Sequence, residues 1–150
     1  MKRYKQPVSV LVVIYTVDME VLLLERADHP GYWQSVTGSC EDNETLAETA
    51  LREVREETGL DTGILTDWQW QNVYEIYPHW RHRYAPGTTR NTEHVFGLQL
   101  PHTTTVRLAP LEHLNYQWLP WMDAAEKVFS PTNRAMILEL PERIATRFLC

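Results

Sequence analysis

Residues 52–60 read REVREETGL, and the carboxylates of Glu53, Glu56 and Glu57 crowd into little more than one helical turn. Residues three and four apart share a helix face, where like charges repel. A chain that keeps such a cluster is expected to supply a cation to neutralise it. Several carboxylates with no Cys or His among them suit a hard, oxygen-seeking ion such as Mg2+, with Mn2+ as a substitute. Ions of that kind mostly serve phosphate chemistry.

The local pattern defines the element that carries the cluster. Thr45 followed by Glu48 has the spacing of a capping box, and Gly59 is a natural stop, so a helix is predicted between them. At about 100° per residue, Ala47, Ala50, Leu51 and Val54 form one stripe centred near Val54. Glu53, Glu56 and Glu57 form a second stripe roughly a quarter-turn away, at the edge of the buried face. Taken without its flanking loop, the same stretch would also suit a solvated acidic face with Arg52 and Arg55 as partners.

The loop changes that balance. Gly38, five residues, Glu44, seven residues and then Arg-Glu-Val-x-Glu-Glu-x-Gly-Leu is the complete pattern of residues 38–60. It resembles, at all nine specified positions over 23 residues, the box of the Nudix hydrolases, a family that cleaves nucleoside diphosphates linked to another moiety. The resemblance implies an α+β fold, a mixed β-sheet sandwiched between α-helices. It also implies a loop-helix-loop in which Glu53, Glu56 and Glu57 bind metal with the backbone carbonyl of Gly38. Arg52 would hold a box carboxylate in place, and Glu44 would brace the loop.

Length and composition agree with one such domain over residues 1–150, since a chain of this size can bury a proper core. No apolar run approaches the ~20 residues needed to cross a bilayer, and MKRYKQP lacks the apolar centre of a signal peptide. Cys40 and Cys150 have no metal-type spacing, so a reduced, cytoplasmic protein with free thiols is expected. A net charge of −6 argues against a nucleic-acid polymer as the main partner. A small-molecule triphosphate remains compatible, because metal ions and a few Arg and Lys side chains can reverse the field locally. The oligomeric state is left open.

Hydrophobic periodicity predicts strands over Val8 to Tyr15, Val21 to Glu25, within Ile64 to Tyr77, Glu93 to Leu100 and Tyr116 to Leu119. Met122 to Phe129 reads as a short helix. Ser130-Pro131 starts a terminal helix that Pro141 should kink or divide. Between them, His79-Trp80-Arg81-His82-Arg83-Tyr84-Ala85-Pro86-Gly87 concentrates positive charge in an acidic chain. Arginine forks fit phosphate oxygens, and neighbouring aromatics can stack on a flat ring. A solubilising loop would have the same composition.

Within the family the resemblance narrows to bacterial members that act on a pterin triphosphate. It is carried by Tyr32-Trp33-Gln34-Ser35-Val36-Thr37-Gly38-Ser39, by His82-Arg83-Tyr84-Ala85-Pro86-Gly87 with Arg90-Asn91-Thr92-Glu93, and by Glu112-His113-Leu114. It implies Glu112 as a further metal ligand beside Glu53 and Glu57. It implies Lys5, Arg26, Thr37, Pro78, His79, Trp80, Arg81 and Ser130 as substrate-binding positions. Glu53, Glu56, Glu57 and Arg52 would carry the catalysis. Trp33, Tyr74, Trp80 and Tyr84 are candidates to stack on the pterin, although core packing is the commoner role for any one of them. A purine triphosphate would suit the same metal site. A non-cleaving sensor is disfavoured, because every box acid is present.

Overall fold

The structure is a computed structural model that describes residues 3–148. Its centre is β1 (Val8–Thr16), whose VSVLVVIYT run is buried on both faces. Such a nearly continuous apolar run, rich in β-branched residues, suits a central strand covered from both sides. β1 pairs in parallel with β6 (Arg90–Leu100) along its whole length, from Val8↔Thr92 to Thr16↔Leu100. β5 (Ile64–Glu75) closes that edge antiparallel to β6.

On its other side β1 changes partner, and that change opens the cleft. β2 (Glu20–Arg26) meets β1 at Tyr15↔Val21 and then diverges. The vacated edge of β1 is taken by β4 (Val36–Ser39), from Ser9↔Ser39 to Val12↔Val36. β2 carries β3 (Trp33–Gln34) on one side and β7 (His113–Pro120) on the other, both antiparallel. The mixed sheet therefore forks, with Arg26 at the end of β2 and Thr37 and Gly38 in β4 on the two sides of the fork.

Alternation along β1 sends side chains to two cores. Val10, Val12 and Ile14 pack with Ala50 and Val54 of α1 (Leu46–Thr58). Leu11, Val13 and Tyr15 pack with Ala124 of α2 (Trp121–Lys127), with Met136 and Ile137 of α3 (Pro131–Leu138), and with Leu140 of α4 (Leu140–Phe148). Helices thus cover both faces of the sheet, the expected layered α+β arrangement. The terminal helix is divided: Pro141 has no N–H to continue the α3 ladder, and the chain restarts as α4. Among the described residues no helix is long and apolar enough to cross a membrane.

Two local expectations are corrected. Ala47 and Leu51 of α1 face solvent, Leu51 at 46% exposure, whereas Glu57 and Thr58 are buried with Ala50 and Val54. The buried stripe has rotated towards the carboxylates, because the cleft rather than an apolar layer lies beside the last turn. The basic stretch is not loop throughout. Pro78–Arg83 forms a 3-10 turn and Arg90 already belongs to β6. Cys40 is a buried free thiol; Cys150 lies outside the described residues.

Candidate active site

The loop before α1 is held by one carboxylate. Glu44 accepts the Glu41 N–H at 3.0 Å and the Thr49 hydroxyl at 2.9 Å. Arg52 reaches it from α1 with both arms of its fork, Nε to Oε2 at 2.6 Å and Nη2 to Oε1 at 3.0 Å. This bidentate, charge-assisted pair holds the Glu44 carboxyl down at about 2, chiefly through the Arg52 hydrogen bonds and then the Glu41 N–H. The remaining Arg52 nitrogen donates to Glu53 at 2.8 Å and Glu56 at 3.2 Å, and Nη2 also donates to the Ser39 carbonyl at 3.0 Å. The helix itself starts with the expected reciprocal cap, Thr45 to Glu48, and ends at Gly59 in the left-handed region.

Glu53 and Glu57 project from α1 towards the fork in the sheet. Burial raises the Glu53 carboxyl against the opposing pull of Arg52. Glu57 is 2% exposed, and neither of its oxygens meets a hydrogen-bond donor among the described residues. Burial first, and the adjoining Glu53 carboxyl second, push it well above the usual carboxylate range. Across the cleft, Glu112, in the turn before β7, and His113, its first residue, each bring a ligand atom within 4.8 Å of Glu57 and of one another. His113 Nε2 lies 3.5 Å from Glu57 Oε1. Burial lowers the imidazole to about 4, so it approaches as a neutral ring and not as an ion-pair partner.

This donor set fits a hard divalent cation. Buried carboxylate oxygens without donors, a second carboxyl beside them and an exposed Glu112 opposite supply charge and oxygen ligands. Gly38 contributes room: a Cβ there would overlap the Glu53 carboxyl. Glu56 lines the same cavity from a more exposed position, 55% for its side chain.

Beside the acids stands a group of cations. Lys5 is lowered by burial and then by Arg83 and Arg26. Arg26 forks onto Asp28 at 2.7 and 2.8 Å and donates to Gln34 Oε1 at 3.0 Å. Arg83 also reaches Asp28, at 2.7 Å, and the Arg26 guanidinium lies 4.3 Å from the centre of the Trp80 ring. Hydrogen bonds from Arg26 hold the Asp28 carboxyl far below its ordinary range. One aspartate does not balance Lys5, Arg26 and Arg83, so the group suits an anion.

Two cavities meet there. One of about 710 Å3 contains the acids, and one of about 350 Å3 is walled by Tyr77, Trp80 and Phe129. Lys5, Arg26, Thr37 and Arg83 line both. Of the expected substrate positions, Lys5, Arg26, Thr37, Trp80 and Ser130 therefore line the cleft. Pro78, His79 and Arg81 line neither cavity. Arg81 instead donates to the Ile76 carbonyl at 2.9 Å and lies 3.5 Å from Glu75, while His79 stacks on Tyr77 at 5.7 Å. Trp33 meets Lys127, 4.6 Å from its ring centre, rather than the cleft. Arg83, Asp28, Gln34 and His113 join the site without having been singled out. Of these, Gln34, Arg83 and His113 lie in the segments that carry the family resemblance, whereas Asp28 had no such signal.

Fold and site together define the class. The NUDIX domain model matches residues 5–140, and the chain belongs to this family. Among curated relatives it is similar to dihydroneopterin triphosphate diphosphatase of Escherichia coli, 50% identical over 141 residues, covering 91% of this chain and 93% of that protein. The protein of the same description from Haemophilus influenzae is 42% identical, covering 91% and 89% respectively. The solved structure of the E. coli dihydroneopterin triphosphate pyrophosphohydrolase superposes with a TM-score of 0.86, covering 91% of this chain and 95% of that one.

Proposed function

We propose that this single-domain chain hydrolyses dihydroneopterin triphosphate to dihydroneopterin monophosphate and pyrophosphate, an early step of tetrahydrofolate synthesis in the cytoplasm. The observation that carries the reading is the junction of the two cavities at Lys5, Arg26 and Arg83. Tyr77, Trp80 and Phe129 pack on one another with ring centres 5.5–6.2 Å apart. A flat bicyclic ring would lie against this aromatic wall, and a polyphosphate attached to it would cross the cations towards the acids. The 50% identity to the E. coli relative over most of both chains supports the same substrate.

Mg2+, for which Mn2+ would substitute, would be held by Glu53, Glu56, Glu57, Glu112 and the Gly38 carbonyl, where it supplies charge neutralisation for phosphate oxygens and acidifies water. The protein's own groups do the rest. Water adds to phosphorus, the P–O bond between the α and β phosphates breaks, and pyrophosphate leaves. The cluster of Glu53, Glu56 and Glu57 accepts the proton of the attacking water. Arg52 keeps Glu53 and Glu56 aimed into the cleft. Lys5, Arg26 and Arg83 neutralise charge as it builds on the leaving pyrophosphate, and Thr37 and Ser130 offer hydroxyls along the path.

The test is kcat/KM for pyrophosphate release from dihydroneopterin triphosphate, dATP and dGTP in Mg2+. A large advantage for the pterin is expected. Equal or faster turnover of a purine triphosphate would move the function to clearing the nucleotide pool.

A further inference from the structure

The smaller cavity holds a polar floor that the hydrolytic chemistry leaves unused. Asn91 and Glu93 alternate on β6 and face the same side, beside Ser9 of β1. Glu93 is 4% exposed, and its Oε1 accepts the Thr132 hydroxyl at 3.3 Å. Among the described residues no Lys, Arg or His forms an ion pair with it. Asn91 donates through Nδ2 to Ser9 Oγ at 2.7 Å and to the Tyr74 hydroxyl at 3.2 Å. Its buried Oδ1 meets no donor. A carboxylate buried without a cation is costly to keep, and this one sits against a cavity walled by aromatic rings.

The chemistry of such a floor is specific. Two carboxylate oxygens side by side match two adjacent, parallel N–H donors, the same fork that makes Arg–carboxylate pairs bidentate. A 2-amino-4-oxopyrimidine ring presents that edge through its ring N–H and its 2-amino group, and pterin and guanine share it. Adenine presents a ring-nitrogen acceptor next to its amino group, so one carboxylate oxygen would face a lone pair. A site whose buried acceptors are left unpaired rejects the wrong ligand strongly.

We propose that Glu93 is the residue that selects the ring of the substrate, pairing with the 2-amino-4-oxo edge, with Asn91 Oδ1 as a further acceptor in the same floor. The assignment rests on the proposed substrate class for its pterin form, and extends to any ring with that edge.

Glu93→Gln tests it, because Gln keeps the shape but offers one acceptor and one donor, the complement of adenine. Pyrophosphate release is measured for dihydroneopterin triphosphate, dGTP, dITP and dATP, and any triphosphate that is not turned over is ranked by its Ki. The variant should lose about tenfold or more on the pterin and on dGTP, while dATP is retained or improved. A uniform loss across all four, or no change, overturns the proposal. If the variant does not fold, the wild-type protein decides: dITP lacks the 2-amino group, so dGTP should be preferred over it by about tenfold, and equal values overturn the proposal. Should the wild-type protein ignore the pterin while Glu93→Gln still reverses dGTP against dATP, the pterin reading fails and the role of Glu93 stands.

Discussion

The Glu53 carboxyl occupies the space that a Cβ at residue 38 would need, so β4 and α1 interlock through a missing side chain. The Glu53 carboxyl can rest against this strand only because Gly38 has no Cβ. Gly38→Ala should push Glu53 out of the cleft while the remainder of β4 keeps its pairing with β1. Supporting residues of metal sites typically account for about 10–100-fold in affinity or activity. A fall of that size in kcat/KM, with a much smaller change in urea midpoint, is expected. Wild-type activity in this variant would mean that Glu53 is not needed where it stands.

Glu57→Gln should nearly abolish turnover and leave the fold intact. Glu57 is a buried acid without hydrogen-bond donors, so removing its charge relieves a burial cost in the metal-free protein. The readout beyond activity is the rise in Tm on adding Mg2+, which reflects binding to the native state. That rise should shrink in the variant. Unchanged kcat in Mg2+ would sink the proposed metal site.

Arg83 and Arg81 lie two residues apart yet should behave differently. Arg83 lines both cavities and reaches Asp28, whereas Arg81 holds the Ile76 carbonyl. Arg83→Ala is expected to raise KM for a triphosphate by about tenfold, in keeping with the loss of a charge-assisted contact. Arg81→Ala should move KM by less than about twofold. A larger effect at Arg81 would reverse the assignment.

Burial pushes Glu93 up to about 7 from an ordinary 4.5, while the Thr132 hydroxyl acts in the opposite direction. The folded chain therefore holds this proton more tightly than the unfolded chain. Its contribution to stability is fully present below about pH 4.5 and is lost as pH rises through about 7. Gln does not titrate. The stability of Glu93→Gln relative to wild type should consequently increase between about pH 5 and pH 7.5 and then level off, by about 3 kcal/mol in all. Denaturation of both proteins across that range measures it, and a difference independent of pH would show that Glu93 keeps an ordinary affinity for its proton.

Residues 44–60 were legible in the sequence because their structure is local. Thr45 caps Glu48, Gly59 ends the helix, and Arg52 finds Glu44, Glu53 and Glu56 within one loop and one helix. The Val- and Ile-rich run from Val8 to Tyr15 likewise pointed to a strand, and its apolar side chains fit the central position that strand takes. What periodicity could not supply was the direction of burial. It centred the helix stripe on Val54, and the structure rotates it onto Glu57, because hydrophobicity scores a carboxylate as solvent-facing whatever stands opposite. Contacts between distant segments were decided by the sheet alone. The divergence of β2 from β1 brings Glu112 and His113 up to Glu57 from more than fifty residues away. The parallel register of β1 and β6 pairs Ser9 with Glu93 and lets Asn91 reach the Ser9 hydroxyl, so that Asn91 and Glu93 line the same cavity as Trp80. The sequence by itself determined the capped, acid-bearing helix and the class of chemistry; only the tertiary structure decided which side chains close the site, because that depends on register and strand divergence, and neither leaves a local trace in the chain.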